Sequence, residues 1–165
     1  MSVVRMILAS LVVLTIQVTA AKSIAIAGAA PDLLTVLLVV LVLERSPVAA
    51  VVIGFLLGIL QDLGNAHFLG MNALAKSIVA YGVARLGGGL LPENVLYRGF
   101  IILSASLVAD IIVLAISTSF GVSAMIAAFF RYSLISAVYA ALIGMAVIVL
   151  IAAFTRRVVR VGGGR

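Results

Sequence analysis

Four ionisable residues lie inside long apolar runs of this sequence: Asp32, Lys76, Asp110 and Arg131. A charge at the centre of a bilayer costs about 2.5 to 3.5 kcal/mol by insertion scales, so such side chains face a cavity or one another and not lipid. Two acids and two bases can neutralise each other, and we predict that these four residues form an internal polar layer. Its chemistry would be ion pairing that fixes the helix register, which we favour, or else proton transfer or the binding of a small ligand.

The residue types of this sequence give little support for catalysis or metal binding. The chain has no Cys, and its single histidine, His67, cannot build a metal centre alone. No nucleophile stands with a base in a pattern typical of an enzyme. We therefore predict that the protein is not an enzyme and that it has no catalytic residue, no metal site and no cofactor.

The composition indicates an integral membrane protein. Of the 165 residues, 65% are hydrophobic and 10% are charged, against about 25% charged in soluble domains, and the mean hydropathy is +1.41. No polar stretch is long enough for a soluble domain, so we expect residues 1–165 to form one integral membrane domain. The net charge of +6 comes from basic residues at the ends of apolar runs, which indicates membrane topology and not a nucleic-acid partner.

The apolar runs predict an all-α fold with six transmembrane helices, because about 20 helical residues cross the hydrocarbon. The first run also resembles a signal peptide, but its length favours a retained helix. The second contains Pro31, which predicts a bent helix. The sixth is too long for one straight span, and an interfacial helix up to about Phe130 would explain its length. The approximate spans are 4–21, 24–43, 48–63, 68–86, 95–118 and 124–154.

Six spans place both termini on one side, and the arginines identify that side as the cytoplasm. Counted inward from the opposite, outer boundaries, the four ionisable residues all lie about eight or nine residues deep, which is roughly 12 Å at 1.5 Å per residue. Asp62 and Asn72 would lie nearer the outer mouth of this layer. The arginines on the cytoplasmic side are Arg5, Arg45, Arg85, Arg98 and, in the tail, Arg156, Arg157, Arg160 and Arg165.

Small residues mark a packing face on the third span. Gly54, Gly58 and Asp62 are spaced four apart and share one face of a helix, where the two glycines allow another backbone to approach closely. Packing against another helix of the same chain is the use we favour. Docking of a partner protein on this face is the alternative.

Three segments together resemble the MreD family of rod shape-determining membrane proteins: PDLL at 31–34, GFLLGILQDL at 54–63 and LGMNAL at 69–74. The motif positions are Pro31, Asp32, Asp62, Gly70 and Asn72, whereas Lys76 and Arg131 match no motif. The resemblance implies a subunit of the bacterial elongation machinery in the inner membrane, acting with MreC, MreB, RodA and a class B penicillin-binding protein in peptidoglycan synthesis. It also implies a fold similar to the substrate-binding components of energy-coupling-factor transporters.

Two functional hypotheses follow from the resemblance. In the first, the bundle is a non-enzymatic scaffold that docks the transmembrane helix of MreC, with Gly54 and Gly58 as candidates for the docking face. In the second, it is a transporter subunit that binds a vitamin-like solute. The absence of Trp and the scattered Phe and Tyr, which leave no aromatic wall, favour the first. The solute would contact Asp32, Asp62, Asn72, Lys76, Asp110 and Arg131.

Overall fold

Apolar runs alternate with short polar segments along the sequence, and the described part of each run contains a helix. A computed structural model describes residues 3–19, 25, 30–64, 69–87, 94–117 and 126–162, and these residues contain helices and no strand. A π-helical turn, Phe129–Ser133, leads into the last helix. The predicted all-α class is therefore confirmed. The six helices are α1 (Val3–Thr19), α2 (Leu33–Val42), α3 (Pro47–Asp62), α4 (Met71–Gly87), α5 (Val95–Ile116) and α6 (Leu134–Gly162).

Polar residues at the helix starts explain where the helices begin. The Ser46 hydroxyl accepts a hydrogen bond from the Ala49 amide, and Pro47 occupies the first turn of α3, where a missing N–H costs nothing. Asn94 caps α5 in the same way. Asp32 caps α2 by accepting from the Thr35 amide. The expected bend at Pro31 is therefore wrong: Pro31 and Asp32 precede α2, and the Asp32 carboxylate caps the helix at the Thr35 amide.

Within the described ranges, two helices are long and apolar enough to cross a membrane by length and composition. They are Val95–Ile116 and the continuous helical stretch Ile126–Leu150. Three further helical stretches are apolar but shorter, namely Met6–Thr19, Leu33–Val42 and Pro47–Asp62. The count of six spans stays a prediction. The expected interfacial helix up to Phe130 is continuous with α6 through the π-helical turn.

The second helix is the centre of the bundle. Seven of the ten residues of α2 are buried, and within the described part of the chain α2 contacts each of the other five helices. Leu34, Leu38 and Val42 are fully buried in the shared apolar core. Helices α3 and α4 form the most extensive pair, and α5 with α6 forms the next. Any polar group at the start of α2 therefore lies among several helices.

Candidate functional site

A buried ion pair joins the start of α2 to the middle of α4. Lys76 Nζ lies 2.7 Å from Asp32 Oδ2, and the two side chains are 1% and 17% exposed. The Thr35 hydroxyl donates to Asp32 Oδ2 over 2.8 Å and accepts from Lys76 Nζ. The other carboxylate oxygen accepts from the Thr35 amide over 3.0 Å. Each polar atom in this group thus has a partner, which is the condition for keeping charges inside a bundle.

The backbone just before α2 is held by side chains from two other helices. Gln17 on α1 donates to the Pro31 carbonyl over 3.0 Å and accepts from the Leu33 amide over 2.8 Å. Ser136 on α6 donates to the Ala30 carbonyl over 2.8 Å. Non-helical backbone at membrane depth is tolerated only where such partners replace water. Gln17 and Ser136 therefore complete the site, and they were not predicted as members of it.

Asp110 lies close to this group, whereas Arg131 does not belong to it. Asp110 on α5 is half-buried beside Ser133 and within electrostatic range of Asp32 and Lys76. Arg131 is exposed, and its guanidinium lies over the ring of Tyr132, 5.6 Å from the ring centroid. Ser133, two residues further along the π-helical turn, is buried. The structure therefore brings together Asp32, Lys76 and Asp110 of the predicted layer, without Arg131.

A second carboxylate closes the hairpin of α3 and α4. Asp62 is 1% exposed, and its Oδ2 accepts from the amides of Gly70 and Ala73 over 2.9 and 3.2 Å. Its Oδ1 accepts from the amide and the side-chain nitrogen of Asn72 over 3.2 and 2.8 Å. Asp62 thus satisfies the free amides at the start of α4, where a negative charge is also favoured by the helix dipole. Gly70 has φ +97°, a backbone conformation that favours glycine.

Replacing Asp62 with Asn should destabilise the bundle by about 2 kcal/mol. An amide offers one acceptor oxygen where the carboxylate offers two, so buried amides at the start of α4 lose their acceptor. Unfolding of the detergent-solubilised protein by SDS measures the loss. The matched control is Asn72→Ala, which removes only one hydrogen bond and should cost about 1 kcal/mol. Equal stability of Asp62→Asn and the parent chain would exclude this capping role.

The two glycines of α3 are covered by α4. A Cβ on Gly54 would overlap the Lys76 carbonyl and the Ala80 side chain, and one on Gly58 would overlap the Ala73 backbone and the Asn72 carbonyl. Both glycines are buried. This face therefore packs within the chain, as we favoured, and has no room for a partner helix in this conformation.

The motif positions thus lie in two largely buried groups that join helices to one another, with Pro31 and Asp62 buried and the others half-buried. They are Pro31 and Asp32 at the start of α2, and Asp62, Gly70 and Asn72 in the α3–α4 hairpin. A family model described as rod shape-determining protein MreD matches residues 1–158. The chain belongs to the MreD family. A comparison with curated proteins and one with solved structures each gave no match. The MreD assignment confirms the resemblance and a role in cell shape.

The cavities described in this MreD family member are lined mostly by apolar side chains. One of about 350 Å³ lies between α4 and α5 and includes Gly82, Tyr97 and Phe100 in its lining. Two smaller ones are lined by residues such as Phe129 and Leu142. Among the described residues, no three His, Cys, Asp or Glu side chains come together as they would around a metal ion.

Proposed function

We propose that this MreD family member is a non-enzymatic scaffold in the bacterial inner membrane. It binds the transmembrane helix of MreC and so links RodA, a class B penicillin-binding protein and the MreB filament in one elongation complex. The observation that carries the proposal is that the buried polar residues bind one another: Lys76 binds Asp32 and Thr35, and Asp62 binds the start of α4. Such contacts serve to hold helices in one arrangement, which is what a scaffold needs.

The proposed topology has six spans with both termini in the cytoplasm. Helix α2, with 10 residues, rises about 15 Å at 1.5 Å per residue, about half of the hydrocarbon thickness. The predicted span 24–43 therefore needs additional backbone before Leu33. The hydrogen bonds from Gln17 and Ser136 to residues 30–33 support this arrangement, since they supply partners that lipid lacks.

The alternative is a solute-binding subunit with a fold like the substrate-binding components of energy-coupling-factor transporters. Such a site needs a few polar groups facing a cavity. Asp32 and Lys76 use their polar atoms on each other and on Thr35, and Arg131 is exposed on the far side of its helix. These contacts favour the scaffold over the solute-binding subunit.

Photo-crosslinking tests the scaffold proposal. A photoreactive amino acid is placed at one exposed apolar position on each of several helices and MreC is co-expressed. Suitable positions are Leu11 on α1, Phe55 on α3, Phe100 on α5 and Leu142 on α6, all at least 48% exposed. We expect strong crosslinks to MreC from adjacent positions on one side of the bundle and weak ones elsewhere, because a single helix covers only one face.

The control uses the same variants with an MreC whose transmembrane helix is replaced by an unrelated one. The crosslinks should disappear while the level of membrane-inserted protein stays the same. If no position crosslinks to MreC, and MreC is also absent from the affinity-purified protein in mild detergent, the scaffold proposal is wrong.

A further inference from the structure

A cavity of about 350 Å³ forms a groove between α4 and α5 that opens at the lipid-facing surface of the bundle. Its rim carries Leu86 and Phe100, which are 71% and 66% exposed. Gly82 leaves space inside it, because a Cβ there would have no atom within 4 Å. Only Tyr97 and Ser104 bring polar groups to the lining. An occupant of this groove must therefore be largely apolar.

The length and lining of the groove suit a hydrocarbon chain. On α4 the lining runs from Ile78 to Leu86, eight steps that rise about 12 Å. A groove of this length, lined mostly by apolar side chains of two helices, can hold part of an acyl chain.

Two arginines extend the groove at the end where α4 stops and α5 begins. Arg85 lies seven residues after Ile78 and three after Gly82, both in the lining. Arg98 lies three residues before Ile101 and seven before Ala105, which also line the groove. Residues at these spacings share a helix face. Arg85 is exposed, so its guanidinium can reach a ligand at this end.

Arg98 independently indicates that a hydrogen-bond acceptor is missing at this end of the groove. It is half-buried, and its Nε is a buried donor without a hydrogen-bond partner among the described residues. A buried donor left unsatisfied is costly, and a phosphate is an acceptor that a guanidinium binds with two parallel hydrogen bonds. Glu93 precedes α5 and lies outside the described residues, so an ion pair of Glu93 with Arg98 is the competing explanation.

We propose that the α4–α5 groove binds an anionic phospholipid. One acyl chain lies along Gly82 between the two helices, and the headgroup phosphate accepts hydrogen bonds from Arg98 and Arg85. The proposed topology places this end of the groove at the cytoplasmic leaflet, where anionic lipids attract basic residues and where basic pockets between helices bind lipid headgroups. The phosphate supplies the hydrogen-bond acceptor that Arg98 lacks, and the acyl chain fills the apolar groove.

Native mass spectrometry of the purified protein tests the proposal in the absence of MreC. The detergent-solubilised chain is titrated with phosphatidylglycerol and with phosphatidylcholine of identical acyl chains. We expect phosphatidylglycerol to bind about tenfold more tightly, and the double variant Arg85→Gln with Arg98→Gln to lose this preference. Arg45→Gln is the matched control, since Arg45 is an exposed arginine in the turn before α3, and it should keep the preference.

The variant Gly82→Leu tests the acyl-chain site independently of the headgroup site. Its side chain fills the open space beside Gly82, so we expect this variant to lose tight binding of both lipids while its helical circular dichroism stays unchanged. Equal binding of the two lipids by the parent chain would overturn the proposal. So would a preference for phosphatidylglycerol that survives the double arginine variant.

A further experiment separates this inference from the scaffold proposal. If Gly82→Leu abolishes co-purification of MreC but leaves phosphatidylglycerol binding intact, then the groove holds the MreC helix and the lipid proposal is wrong. If it abolishes lipid binding alone, the lipid proposal is supported and the MreC contact lies on another face.

Discussion

Replacing Lys76 with Met should destabilise the folded bundle by about 3 to 5 kcal/mol, the typical cost of removing one partner of a buried ion pair. The Asp32 carboxylate would then stay between α2 and α4 without its cation, and the Thr35 hydroxyl would lose a donor. Lys76 is among the largest fully buried side chains of the described residues. The free energy of unfolding in mixed micelles of SDS and a mild detergent measures the effect.

The double variant Asp32→Asn with Lys76→Met separates ion pairing from packing. Asn keeps an oxygen that can accept from the Thr35 amide, so the cap on α2 survives while both charges are removed. We expect the double variant to be more stable than Lys76→Met alone, because a lone buried charge costs more than a neutral pair. Arg45→Met, an exposed cation, should change stability by no more than about 0.5 kcal/mol. A double variant less stable than Lys76→Met would contradict the ion-pair explanation.

Counting residues along the predicted spans could place polar side chains at one level, but it could not give the direction of each side chain. Counting from the outer boundaries put Asp32, Lys76, Asp110 and Arg131 at one level, and the structure joins the first two in an ion pair with Asp110 nearby. Arg131 is exposed, whereas Ser133, two residues further on, is buried. Residues two apart lie on nearly opposite faces of a helix, and the packing of the helix decides which of the two faces the core.

Contacts between distant segments explain why the predicted bend at Pro31 differs from the structure. A proline inside an apolar run predicts a kink, and the rule fails at Pro31 because Asp32 begins a new helix there. The partners that hold this backbone are Gln17 on α1 and Ser136 on α6, the latter 106 residues from the Ala30 carbonyl that it binds. Gln17 was visible as a large polar side chain in an apolar run. Ser136 carried no comparable signal, since a small hydroxyl residue is common in any membrane helix.

The motif residues of this MreD family member therefore act mainly on their own chain. Asp32 sets the start of α2 and Asp62 the start of α4, and Lys76 ties the two helices together. We therefore expect the proposed contacts with partners on the outer surfaces, where large apolar side chains such as Phe55 and Phe100 are exposed. A variant of a buried motif residue should thus weaken every partner contact at once, whereas a surface variant should weaken one.

The close contact of α3 with α4 depends on Gly58, and Gly58→Ala should destabilise the bundle by about 3 kcal/mol, at the upper end of the usual cost of overpacking. The new methyl group would overlap the Ala73 backbone and the Asn72 carbonyl. Backbone atoms cannot rotate aside as a flexible side chain can, so α3 and α4 must separate.

SDS unfolding without added lipid measures the loss of stability in Gly58→Ala, with Gly82→Ala as the matched control. Gly82 has open space around its Cβ position, and alanine is a better helix former by about 1 kcal/mol, so the control should be at least as stable as the parent. If Gly58→Ala and Gly82→Ala unfold alike, then the helices tolerate a wider separation and the stability of the hairpin must come from Asp62 and its hydrogen bonds.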